Sequence, residues 1–153
     1  MRRGSGFSLL ELVVVVGVVA VVSAVAAARF DSMGARARHV ATLEEFRRFE
    51  RAFLQYQAAE GSFPPDVHHG LFPPEMAGYL SRESWLAPSP MGGWWDWNNA
   101  EHPWWAGRPS NIAVWSDPFP ADRWLLFDEW ADDGNGGTGR FLRYGNAYYT
   151  SVE

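Results

Sequence analysis

Gly6-Phe7-Ser8-Leu9-Leu10-Glu11-Leu12-Val13 leads straight into an apolar run that ends near Ala28, and Glu11 is the only charged residue in it. As a helix rising about 1.5 Å per residue, residues 7–28 span roughly 33 Å, enough for a hydrocarbon core of about 30 Å. A cleaved secretory signal has a shorter apolar region with its small-residue site behind it. Here the small residues Gly4-Ser5-Gly6 come first, so the segment reads as a membrane helix. An ionised carboxylate at the edge of hydrocarbon is costly, and Glu11 therefore asks for a partner. Charge alone leaves the orientation open: Arg2 and Arg3 precede the span, while Arg29, Arg36 and Arg38 follow it.

The remaining length, out of 153 residues, accommodates one modest domain. The net charge of −5 argues against a nucleic-acid binder. All thirteen basic residues are arginines, so lysine nucleophiles and Schiff bases are excluded. The chain has no cysteine, which excludes disulfides, thiolate nucleophiles and cysteine-held metals. Its nine tryptophans all fall between Trp85 and Trp130.

The opening motif, behind its short basic leader, resembles the class III signal of type IV pilins and type II secretion pseudopilins. The resemblance covers about the first 30 residues. It implies cleavage between Gly6 and Phe7 by a membrane-embedded prepilin peptidase, with methylation of the new Phe7 amine. It also implies a cytoplasmic leader and an outward-facing head. In a bundle of such helices, Glu11 of one subunit faces the Phe7 ammonium of its neighbour. That contact neutralises both charges and fixes an axial register that purely apolar helices cannot set. A signal anchor whose Glu11 merely snorkels to the headgroups is the plainer alternative.

The expected domains are a leader at residues 1–6, a transmembrane helix at 7–28, an extramembrane continuation at 29–60 and a Trp-rich head at 61–153. Val40, Leu43, Phe46, Phe49, Phe53 and Tyr56 recur every three or four residues and mark one apolar helix face. Glu44 and Arg48 are spaced to pair, and Gly61 is a plausible stop. Gly34 offers a bend, and Thr42-Leu43-Glu44-Glu45 fits either a capping box at a restarted helix or an exposed stretch of one continuous helix. Residues 61–110 hold eight of the ten prolines and read mainly as loop, with a short helix near Pro74. Strands are expected at 111–116, 123–127, 140–144 and 147–152, the last two joined by Gly145-Asn146. The predicted fold class is α+β: a long N-terminal helix packed on a small C-terminal antiparallel sheet, which is also the pilin-like fold that the resemblance implies. Ser62-Phe63-Pro64-Pro65-Asp66 and Ser89-Pro90-Met91-Gly92-Gly93-Trp94 resemble pseudopilin segments after the long helix and before the sheet.

Asp128, Asp132, Asp133 and Asn135 lie in a Gly-rich stretch and are candidate calcium ligands, since Ca²⁺ takes six to eight oxygens from flexible loops. The spacing is not that of an EF-hand, and a solvated turn between strands is the plainer reading. The stretch resembles the calcium loop of major pseudopilins in placement and composition. Trp94, Trp95 and Trp97 around Asp96, with Trp104 and Trp105, are either core filler or a sugar-stacking platform. His68, His69 and His102 have no partner at metal-ligand spacing and read as solvated loop residues. No nucleophile elbow, phosphate loop or dinucleotide fingerprint occurs, and the chain reads as a non-enzyme.

The expected function is a structural subunit of a type IV pilin-like filament in the bacterial inner membrane and periplasm. A type II secretion pseudopilin is favoured over an adhesive or DNA-uptake pilin or a membrane-anchored carbohydrate-binding module. The implied partners are the prepilin peptidase, identical or related pilin subunits, the inner-membrane assembly platform and lipid, with no nucleic acid. Glu11 argues against the pseudopilus tip subunit, which characteristically lacks this acid.

Overall fold

The computed structural model describes residues 8–103 and 107–152, without the side chains of Ala28, Asp31 and Ser32. Gly6, Phe7, Trp104 and Trp105 lie outside the described residues. The chain divides into two compact units, Met1–Ala37 and Arg38–Glu153. A single helical element, α1 (Leu9–Glu60), begins in the first and ends in the second.

In the first unit, Leu9–Ala27 is a 19-residue stretch with mean hydropathy 2.8, none of it buried. By length and composition it can cross a bilayer. Its valines stand open on every side of the helix, unlike those of a soluble core helix, and they need lipid or other helices as cover.

In the second unit, the end of α1 lies over a four-stranded antiparallel sheet of order β1-β2-β4-β3. The strands are β1 (Trp94–Asn98), β2 (Asn111–Trp115), β3 (Phe141–Tyr144) and β4 (Ala147–Ser151). Two further helices, α2 (Arg82–Leu86) and α3 (Ala121–Ala131), and a 3₁₀ turn at Pro74–Met76 complete the unit. The architecture is α+β and pilin-like, with Gly145 and Asn146 joining β3 to β4.

Strand periodicity sorts the sheet into two faces. The inner face carries Trp95, Trp97, Ile112, Val114, Phe141, Tyr148 and Thr150, all buried. Phe46 and Phe49 meet the edge of Trp95 at 5.1 and 4.8 Å between ring centroids, and Phe53 stacks on Trp97 at 4.0 Å. Helix α3 joins the same layer: Trp124 stacks on Tyr148 and Phe127 packs edge-on to Phe141. With no cysteine available, ring-on-ring packing holds the head together.

Several expectations are corrected. Residues 123–127 form helix, not strand, because Trp124, Phe127, Asp128 and Ala131 recur on a three-to-four spacing that puts Trp124 and Phe127 on the core side. Conversely, β1 lies inside the stretch read as loop. Tryptophans on both of its faces hide the period of two, and Trp95 and Trp97 are core residues that cannot form a stacking platform. Thr42 is buried inside α1 and begins no new helix, while Val40 is exposed. Glu44 pairs with Arg47 at 3.1 Å and Glu45 with Arg48, in place of the expected Glu44–Arg48 pair. The helix ends as anticipated, with the Gly61 N–H donating to the Gln57 carbonyl at 2.8 Å.

Candidate functional site

Among the described residues, three places gather chemistry. The first is the start of α1. The Ser8 N–H donates to Glu11 Oε2 at 2.8 Å, and the Glu11 N–H donates to Ser8 Oγ at 3.2 Å. This reciprocal pair is a capping box, which satisfies N–H groups that the first helical turn leaves without partners. The signal is readable in Ser8-Leu9-Leu10-Glu11, a Ser-x-x-Glu before an apolar run, a reading of Glu11 distinct from both the intermolecular counter-charge and the snorkelling side chain. One carboxylate oxygen is thus held by the chain's own backbone.

The second place is the loop between α3 and β3. Asp128 sits on the last turn of α3, and the loop turns back so that Asp128, Asp132 and Asp133 bring carboxylate oxygens within 4.8 Å of one another. Asp133 is braced by Thr138 Oγ1 at 2.7 Å and by the Asn135 N–H at 2.9 Å, which hold its pKa below the usual carboxylate range. Asp132 Oδ2 accepts from the Arg140 N–H and, at 3.0 Å, from the Phe141 N–H. A side chain at Gly139 would place its Cβ 2.1 Å from that oxygen, so the loop closes only around glycine. Asn135 Oδ1 accepts from the Gly137 N–H at 3.1 Å and shapes the turn.

Asp128 is different. It is fully buried, and neither of its oxygens has a hydrogen-bond partner. Burial raises its pKa, with Asp132 and Asp133 adding to the rise. The neighbouring Tyr148 phenol pulls the other way but does not reach hydrogen-bond geometry. A buried carboxylate with two orphan oxygens, facing two more carboxylates, is chemically suited to a hard divalent cation. The residues present fit Ca²⁺: three carboxylates, one from the last turn of α3 and two from the glycine-rich loop that follows it.

The third place lies on the outer face of the sheet. Residues 64–70 run along the free edge of β1, joined by the Gly70 N–H to Trp95 carbonyl bond at 2.8 Å and by the Trp97 and Asn99 side chains, which donate to the Pro64 carbonyl. A cleft of about 520 Å³ opens there, lined by Asp66, Val67, His68, His69, Asp96, Asn98 and His102. His69 stacks on Trp115 at 3.9 Å, and burial lowers its pKa. Asp96 is pushed up to about 6, mainly by burial. The three histidines read as separate solvated residues therefore converge on one cleft, because the chain returns to the same strand edge twice. Their spacing in sequence carried no sign of this.

Residues 1–27 match the family model described as the prokaryotic N-terminal methylation motif. No curated protein and no solved structure matches the chain. The motif, with the apolar helix behind it, supports a type IV pilin-like protein.

Proposed function

We propose that this chain is a structural, non-catalytic subunit of a type IV pilin-like filament, and more narrowly a type II secretion pseudopilin. The observation that carries the reading is the methylation motif over residues 1–27, with Gly6, Phe7 and Glu11 at the spacing that processing and assembly require. Prepilin peptidase cuts after Gly6 and methylates Phe7. The span from residue 7 to 28 stays in the inner membrane until the subunit is drawn into a filament, with the head outside. Glu11 then meets the Phe7 amine of the neighbouring subunit.

The narrower assignment is supported by the cysteine-free head, which lacks the C-terminal disulfide of many adhesive pilins, and by its acidic charge, which is poorly suited to DNA. The loop around Asp128, Asp132 and Asp133 adds to it. We assign that loop to Ca²⁺, with Asn135 shaping the turn that presents the carboxylates. The bound ion offsets two of the three negative charges and ties the end of α3 to β3.

Co-expression with a prepilin peptidase tests the core of the reading. Loss of the six-residue leader with addition of one methyl group is expected, and Gly6→Leu is expected to block both. Glu11→Ala is expected to be cleaved yet fail to enter filaments. An unprocessed wild-type chain would refute the proposal. Deleting the gene should abolish export of folded exoproteins and leave surface piliation and DNA uptake intact; the opposite pattern would assign a true pilus instead.

A further inference from the structure

The cleft on the outer face of the sheet is separate from the helix start and from the acidic loop, and neither of those accounts for it. Its fixed point is Asp96. The backbone there is pinned by β-pairing, with Asp96 opposite Ala113. Its side chain is nine-tenths buried, Oδ2 accepts from Asn98 Nδ2 at 3.3 Å, and Oδ1 is buried with no partner. A buried carboxylate oxygen left without a donor costs stability unless a cation or a donor fills the place. Around it stand Asp66 and three of the four histidines in the chain.

We infer that this cleft binds a first-row transition-metal ion, Zn²⁺ being the representative, through Asp96 and imidazoles drawn from His68, His69 and His102. Mixed imidazole and carboxylate donors suit Zn²⁺ and its neighbours, whereas Ca²⁺ prefers oxygens alone. In the structure these donors line the cleft without yet meeting at one point, unlike the Asp128 group. Binding therefore draws the exposed His68 and the half-buried His102 side chains inward toward Asp96. Asp66 already accepts the Asn99 N–H at 3.1 Å, and Asn98 donates to both Asp96 and Asn111. The polar supports that orient ligands in metal sites are thus partly in place. The ion would clip residues 66–69 and residue 102 to the edge strand, a cross-link of the kind that a cysteine-free domain lacks.

The test is titration of the full-length chain in detergent micelles with ZnCl₂ in excess Ca²⁺, so that the acidic loop is saturated. Co²⁺ serves as the spectroscopic stand-in. One equivalent is expected to bind. Asp96→Asn and His102→Ala should each weaken it roughly tenfold or more, while His39→Ala and Asp128→Asn leave it unchanged. Circular dichroism confirms that each variant is folded. Absence of binding would overturn the inference. So would wild-type affinity in folded Asp96→Asn, which would mean capture by surface histidines only. Loss of binding in Asp128→Asn would place the ion in the acidic loop and overturn it equally.

Discussion

Replacing Asp128 by Asn should change stability in opposite directions depending on whether calcium is present. Without the cation, the wild-type side chain is a buried carboxylate with two unpartnered oxygens, facing Asp132 and Asp133. The amide removes the charge and leaves only an under-satisfied polar group, which typically costs about 1–3 kcal/mol against more for a charge. Because the residue lies beneath an otherwise exposed loop, the low end applies. We expect the variant to be about 1 kcal/mol more stable in chelator. With Ca²⁺ at a hundredfold excess over its dissociation constant, the wild type gains about 2.7 kcal/mol by mass action, and the variant gains far less. At roughly 4 °C per kcal/mol for a domain of this size, calcium should raise the wild-type melting temperature by about 10 °C. Tryptophan fluorescence of the full chain, melted with Ca²⁺ and with chelator, reads both numbers. Equal calcium shifts in the two proteins would show that Asp128 is no ligand, and no shift in either would remove the cation from the loop.

Gly93→Ala should destabilise the head by at least about 1–3 kcal/mol from backbone strain alone. Gly93 has φ +90° and its Cβ would sit 2.5 Å from the Trp115 carbonyl; an unchanged denaturant midpoint would contradict the turn geometry. Phe53→Ala removes the ring stacked on Trp97 at 4.0 Å and should cost about 3–5 kcal/mol, measured by urea unfolding. Asp96 predicts a pH dependence in metal-free protein. Its folded pKa of about 6 lies above the ordinary 3.8, so the native state holds the proton more tightly. The resulting destabilisation is absent below pH ~4 and complete above pH ~6, reaching about 3 kcal/mol. Asp96→Asn should flatten that fall in stability, and parallel wild-type and variant curves across this window would refute it.

The α+β architecture was legible because its two largest signals are local. The apolar run announces a membrane-length helix by composition, and the Phe46, Phe49, Phe53 stripe announces the packed end of α1 by period. The Gly145-Asn146 hairpin was equally local. What failed were short segments whose state is set by neighbours. In residues 123–127 only Trp124 and Phe127 favour strands, while Arg123, Leu125 and Leu126 are good helix formers; their helical stripe finds Tyr148 and Phe141 across the core. In β1, tryptophans on both faces erase the alternation that identifies a strand. The acidic loop was visible as composition, but only folding reveals that Asp128 is the buried member. The outer cleft could not be read at all, since it is the return of residues 64–70 to the edge of β1 that brings His68 and His69 to the cleft lined by Asp96 and His102.

The Ser8–Glu11 capping box bears on how tightly helices of this kind can be joined. Only Oε2 of Glu11 accepts the Ser8 N–H, and an ionised carboxylate offers about four lone-pair sites, so the side chain keeps its cap while its remaining sites take a cation from a neighbouring helix. Under the filament reading, the cap fixes where the carboxylate stands before the contact forms, and less conformational freedom is lost on joining.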